Sequence, residues 1–198
     1  MRCGKDKRQI KNGSDYMPLV NDDYTRTEKI DGVIYNMSPS GGFMHSQING
    51  NIYHSLRQQL KNSVCVVSVE NLDLYLSSDE YVIPDIMLIC DRSQIKKDKY
   101  RGVPRFIVET LSPATAFKDK TTKKEKYAQI GVDEYWIVSP KERSVEIYYL
   151  ENGNYRLVNM YILEDDETDE HYNANIMINL RAMPNISVQL KEIFENIE

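Results

Sequence analysis

Little in this chain suits soft-metal chemistry. There are three cysteines, Cys3, Cys65 and Cys90, at no metal-ligand spacing, and three cannot all pair within one chain. Cys65 and Cys90 lie in apolar, strand-like runs, where buried thiols behave as small hydrophobes. Free thiols point to a reducing cytoplasm. Long apolar runs are missing too: no stretch approaches the ~18 residues of a membrane span. The N-terminus, Met1-Arg2-Cys3-Gly4-Lys5-Asp6-Lys7-Arg8-Gln9, has no apolar region behind it. The sequence therefore predicts a soluble, unexported protein with no membrane partner. A net positive charge is also lacking. The formal charge is -5, which taken alone disfavours a nucleic-acid partner.

The distribution of charge matters more than its sum. From Leu163 onward nine acids face two bases, whereas residues 92–126 hold eleven Lys/Arg against four acids. A basic middle beside an acidic tail is hidden by the overall value. With 198 residues, no internal repeat and no linker, the chain reads as one domain over 18–198 behind a polar, flexible segment 1–17.

Turn and periodicity signals place the elements. Residues 29–37 read as a strand pair about Asp31-Gly32, a hairpin dipeptide. Met44, Ile48, Ile52, Leu56 and Leu60 recur every four residues, predicting a helix. Residues 64–76 read as one strand or two, followed by strands at 82–90 and 105–111. A helix over about 118–130 is closed by Gly131. A strand at 134–138 precedes a hairpin about Asn152-Gly153, an exposed acidic loop at 164–170, an edge strand at 176–180 and a short helix at 188–197. This order predicts a mixed α/β fold, one sheet flanked by helices.

Two strands each carry one acid in apolar sequence: Asp85 in 82–90 and Glu109 in 105–111. A lone buried charge costs several kcal/mol, so it needs a partner or a cation. If the strands pair antiparallel across the 91–104 loop, the two acids fall opposite each other. A shared Mg²⁺, for which Mn²⁺ substitutes, would then reverse their repulsion and hold a hydrolytic water. The bland alternative is a turn at Pro84-Asp85 and an outward Glu109. On the following helix Ala116, Lys120, Lys123, Tyr127 and Ile130 form one stripe. Lys123 is thereby directed at the sheet, where an ammonium can orient water or neutralise a phosphate.

These residues resemble the PD-(D/E)xK nuclease superfamily, and more closely its Uma-two family. The resemblance rests on Glu28-x-x-Asp31-Gly32, on Met37-Ser38-Pro39-Ser40 followed by His45, and on Pro84-Asp85. It continues through Val108-Glu109-Thr110-Leu111-Ser112-Pro113, Asp119-x-x-x-Lys123-x-x-x-Tyr127 and Gly131-Val132-x-Glu134-Tyr135-Trp136, covering about residues 24–160. It implies a restriction-endonuclease-like fold, with Asp85 and Glu109 as the motif acids and the Thr110 carbonyl as a further metal ligand. Leu111 stands where the short motif has lysine, and Lys123 fills that role from the next helix, with Lys120 as the fallback. Glu28 and His45 then line the same cleft, His45 in contact with substrate rather than metal.

The function implied is Mg²⁺-dependent hydrolysis of nucleic acid, as a DNA endonuclease, with the basic 92–126 stretch tracking phosphates. No recognition helix is visible, and a homodimer is left open. The alternative is a binding or assembly module that keeps the nuclease fold without turnover. A paired-carboxylate glycosidase fits less well, because adjacent strands and an inward lysine do not frame a sugar.

Overall fold

The computed structural model describes residues 26–37, 42–164, 166, 168–169, 172–173 and 175–198. The expected flexible segment 1–17, Cys3 and most of the loop at 38–42 lie outside these residues.

The chain opens with β1 (Thr27–Ile30), β2 (Val33–Asn36), α1 (Gly42–Gln59), β3 (Val66–Val69), β4 (Asp73–Tyr75) and β5 (Tyr81–Val82). It continues through β6 (Ile86–Ile89), β7 (Ile95–Lys96), β8 (Lys99–Tyr100) and β9 (Phe106–Thr110). A helical segment follows, made of α2 (Ala116–Lys118), a π-helical turn (Asp119–Lys123) and α3 (Lys124–Ile130). Then come β10 (Glu134–Ser139), β11 (Ser144–Glu151), β12 (Asn154–Ile162), β13 (Met177–Asn179), β14 (Ser187–Gln189) and α4 (Leu190–Ile193).

The turns follow their dipeptides. Asp31 and Gly32 have φ of 50° and 76°, and Asn152 and Gly153 have 51° and 80°. Two successive positive φ values match the twist of a two-residue hairpin.

The central sheet has the order β12-β11-β10-β9-β6-β3. All its pairings are antiparallel except β9 with β10, the pair joined by the helical segment. A second sheet, β2-β1-β5-β4-β8-β7, packs against it, and β13-β14 forms a small third ladder. β6, β9 and β10 are buried along their whole length, which accounts for their near-continuous apolar runs. On one face Ile86, Leu88, Phe106, Val108 and Trp136 pack with Ile48, Ile52 and Leu56 of α1. On the other, Met87, Ile107, Tyr135 and Ile137 pack with Tyr127 and with Ile30, Leu74, Val82 and Tyr100 of the second sheet. Each such aliphatic side chain contributes about 1.5–3 kcal/mol relative to exposure.

Two expectations are corrected. The residues read as a C-terminal helix begin as a strand, β14, paired antiparallel with β13, and only Leu190–Ile193 is helical. Ile186, Val188 and Leu190 are buried at every second position, a strand period that extends into the residues read as helical. Cys65 and Cys90 are not free thiols but a disulfide. The Val66↔Ile89 register sets positions 65 and 90 opposite each other, so strand pairing itself brings the sulfurs together. The inference of a reducing compartment loses that support. No described helix is long and apolar enough to cross a membrane.

Candidate active site

Strand register assembles the acids. Ile86 pairs with Val108 across β6 and β9, which places Asp85 opposite Glu109 with both side chains on one face. On the other side, Val69 pairs with Ile86, which places Glu70 opposite Asp85. The Glu70 N–H donates to the Asp85 carbonyl at 2.9 Å.

Around Asp85 a polar network closes. Its Oδ2 accepts the Thr110 N–H at 2.7 Å and lies 3.1 Å from His45 Nε2. Asn49, one turn beyond His45 on α1, donates through Nδ2 to Glu70 Oε1 at 2.7 Å. Its Oδ1 accepts the Thr110 hydroxyl at 2.6 Å, and its Nδ2 lies 3.2 Å from His45 Nδ1. Among the described residues, one set of three His, Cys, Asp or Glu side chains has donor atoms all within 4.8 Å of one another: His45, Glu70 and Asp85. Burial pushes His45 down, but hydrogen bonds and charge from Asp85 and Glu70 outweigh it and hold the imidazole up at about 10. The pocket thus favours positive charge at its centre. One nitrogen and two carboxylate oxygens suit a divalent cation once the imidazole has given up its extra proton, so binding here releases a proton.

Next to this set sits a buried lysine. Lys123 Nζ lies 2.8 Å from Glu28 Oε1, 3.0 Å from Glu109 Oε1 and 3.6 Å from Asp119 Oδ1. Lys118 bonds the other Glu28 oxygen. The Tyr127 hydroxyl donates to Glu109 Oε1 at 2.6 Å. Burial raises Glu109 well above the usual carboxylate range, opposed by Lys123 and reinforced by Asp119, Asp85 and Glu28. Burial acts the same way on Glu28, but Lys123 and Lys118 reverse it and hold Glu28 low. Lys123 is pushed down by burial, yet Glu109, Glu28 and Asp119 keep it well above its ordinary value. It is a permanent ammonium. Asp119, raised by burial, has an Oδ1 with no hydrogen-bond partner.

Asp119 and Lys123, four residues apart and so neighbours on one helix face, are the buried residues of the π-helical turn. Lys120, expected on the same stripe, points away to Glu146 at 2.7 Å.

Glu28, His45, Asp85, Glu109 and Lys123 all line one cleft of about 590 Å³, together with Asp119 and Lys118. Thr110 is buried behind it. The sequence reading gave the metal to Asp85, Glu109 and the Thr110 carbonyl. In the structure Asp85 faces Glu109 across the strands and also gathers with His45 and Glu70, while Glu109 Oε1 is engaged by Lys123 and Tyr127. Glu70 and Asn49 were missed. Asn49 had a signal, an amide four residues from His45 on the buried helix face. Glu70 had none before the β3–β6 register was known.

The basic stretch is less free than its composition. Lys118, Lys120, Lys123, Lys126 and Arg105 are all ion-paired. Among the described residues of this stretch Arg92, Lys96, Lys97, Lys99, Arg101 and Lys124 form no salt bridge. Lys124 sits over the Tyr148 ring, and the other five lie on and around the β7–β8 hairpin at the far edge of the second sheet, Lys99 and Arg101 against Tyr75.

Fold and cleft together define a nuclease-like mixed α/β protein with a candidate metal-binding cluster. A crystal structure of "a putative nuclease belonging to DUF820" from Anabaena variabilis is similar, with a TM-score of 0.67 at 17% identity, over 87% of this chain and 91% of that one. Residues 14–174 match the Uma2 family, described as "Putative restriction endonuclease". The chain belongs to that family. It is also 27% identical over 135 residues to the uncharacterized protein slr1290 of Synechocystis, covering 67% of this chain and 70% of that protein.

Proposed function

We propose that this protein is a divalent-metal-dependent phosphodiesterase acting on nucleic acid, a DNA endonuclease. The observation that carries this reading is the meeting of His45, Asp85 and the buried Lys123 ammonium in one cleft, with Glu70 completing the donor set beside His45 and Asp85. Asp85, Glu70 and a neutral His45 would hold the cation, Mg²⁺ or Mn²⁺. When bound, such a cation supplies Lewis-acid polarisation of the phosphodiester and a hydrolytic water of lowered pKa.

The remaining steps belong to the side chains. Two Lys123 N–H groups are taken up by Glu28 and Glu109 at 2.8 and 3.0 Å. Asp119, at 3.6 Å, is beyond hydrogen-bond distance, which leaves the third N–H for a phosphate oxygen as negative charge builds there. Glu109, opposite Asp85 across the strands, takes a proton from the attacking water in its carboxylate form; as the P–O bond breaks, the departing sugar oxygen takes a proton from solvent. Asn49 and the Thr110 N–H keep Glu70 and Asp85 oriented.

The test is cleavage of end-labelled DNA with Mn²⁺ or Mg²⁺. Activity is expected to vanish on chelation and to fall at least about 100-fold in Asp85→Asn. Tight metal binding without cleavage of any nucleic acid would favour the assembly module instead.

A further inference from the structure

We propose that the cleft takes its nucleic acid as an unpaired strand, with bases stacked on Tyr35 and Phe117 at its mouth. This rests on the phosphodiesterase reading above and adds the substrate class. Three observations carry it.

The first is depth. Glu109, Asp119 and Lys123 are each 3% exposed or less, so the reacting groups lie beneath the surface. A stacked duplex is stiff and presents its backbone on a broad, nearly straight face. An unpaired strand bends at every phosphodiester and can lower one into a recess.

The second is the mouth. Phe117 is 82% exposed and Tyr35 39% exposed, and both line the cleft. Tyr35 pairs with Glu28 across β1 and β2, so its ring stands on the same face as the carboxylate that holds Lys123. Phe117 is two residues before Asp119 on the helical segment. Lys118 Nζ sits 4.9 Å from the Tyr35 ring centre, joining the aromatic surface to a cation. Two solvent-facing rings beside a phosphate-handling centre offer what nucleobases stack on, whatever their sequence.

The third is the placement of cations. Those at the cleft, Lys118 and Lys123, are tied to Glu28, and five of the six basic residues of 92–126 without a salt bridge lie at the far edge of the second sheet, Lys124 being held over Tyr148. Phosphate tracking along a duplex finds few free partners at the mouth, whereas stacking needs none.

The experiment is fluorescence anisotropy with labelled oligothymidylate, oligouridylate and a blunt DNA hairpin of equal length, in Ca²⁺ so that binding is read without turnover. Cleavage in Mn²⁺ is measured in parallel. Both single strands are expected to bind at least about 10-fold tighter than the hairpin. Tyr35→Ala and Phe117→Ala should each weaken single-strand binding by about 5- to 150-fold, the range for loss of one stacked base. Phe117→Trp should restore it. Both positions are exposed, so the variants keep the fold, and an unchanged melting temperature checks this.

Equal or tighter hairpin binding, or alanine variants that bind the single strand like wild type, would overturn the proposal. So would a concentration-dependent dimer abolished by Phe117→Ala with strand binding intact, which would give the face to a second copy. The two readings fail separately. Preferred single-strand binding without cleavage removes the phosphodiesterase and keeps the stacking surface. Cleavage with duplex preference does the reverse.

Discussion

Glu70 and Asp85 face each other across the β3–β6 ladder, joined by the Glu70 N–H on the Asp85 carbonyl at 2.9 Å. Glu70 adopts φ of 51°, the left-handed region that glycine enters freely and a side chain enters at a cost. Strain of this kind collects where the surrounding structure needs a particular side chain. Here the need is a carboxylate within reach of His45 and Asp85.

Glu70→Gln therefore weakens Mn²⁺ binding at least about 10-fold while the fold stays intact. Glu70→Gly does the same and relieves the backbone, so its melting temperature does not drop. Isothermal titration with Mn²⁺ and thermal melts check both. Unchanged affinity would remove Glu70 from the donor set.

Lys123 is a structural cation as well as a candidate catalytic one. With its ammonium removed, Glu28 and Glu109 are left buried against each other. Lys123→Met is expected to destabilise the protein by about 3–5 kcal/mol, the cost of an uncompensated buried charge. A second change, Glu109→Gln, recovers part of that loss without restoring cleavage. Urea unfolding of the single and double variants reads this out; a single variant as stable as wild type would contradict it.

How far the sequence foretold these relations depends on how local each one is. The Asp31-Gly32 and Asn152-Gly153 turns, the Gly131 cap and the α1 stripe were legible, because each is decided within a few residues. Asp85 opposite Glu109 was legible too, since one loop joins their strands and hairpin-like pairing is the simplest arrangement. Glu70 was not: it enters the site through the pairing of β3 with β6, fixed only when the whole sheet assembles. The same pairing made the Cys65–Cys90 bond invisible beforehand. Lys120, the fallback on the expected stripe, turns to Glu146, while Asp119, four residues before Lys123 in the quoted motif, is the one buried beside it.

Glu134 gives a pH test away from the cleft. Its carboxylate accepts the Trp136 indole N–H at 2.7 Å and the Ala182 N–H at 2.8 Å. Burial still raises its pKa above the ordinary 4.5, against the pull of those bonds. A raised carboxylate contributes stability that is complete below its unfolded pKa and is lost as pH rises through its folded pKa. Wild type should thus lose stability relative to Glu134→Gln as pH climbs from about 4.5. Denaturant unfolding across that range measures it, and a pH-independent difference would contradict the assignment.

The β7–β8 hairpin lies at the far edge of the second sheet, away from the cleft mouth. Lys96→Ala with Lys97→Ala should therefore leave the slope of log affinity against log salt unchanged for a short single strand. Anisotropy titrations over a range of salt report the slope. A slope reduced by about 1 to 2, as for two lost phosphate contacts, would bring nucleic acid to this edge and contradict stacking at the mouth as the main contact.

The most direct test of the whole account is anomalous diffraction from crystals grown or soaked with Mn²⁺. The predicted result is a peak in the cleft bonded to His45 Nε2 or Nδ1 and to carboxylate oxygens of Glu70 and Asp85, with Lys123 beside it. A peak between Asp85 and Glu109 that leaves His45 and Glu70 untouched would overturn the donor set. A cleft with no peak under saturating Mn²⁺ would contradict the metal-dependent mechanism itself.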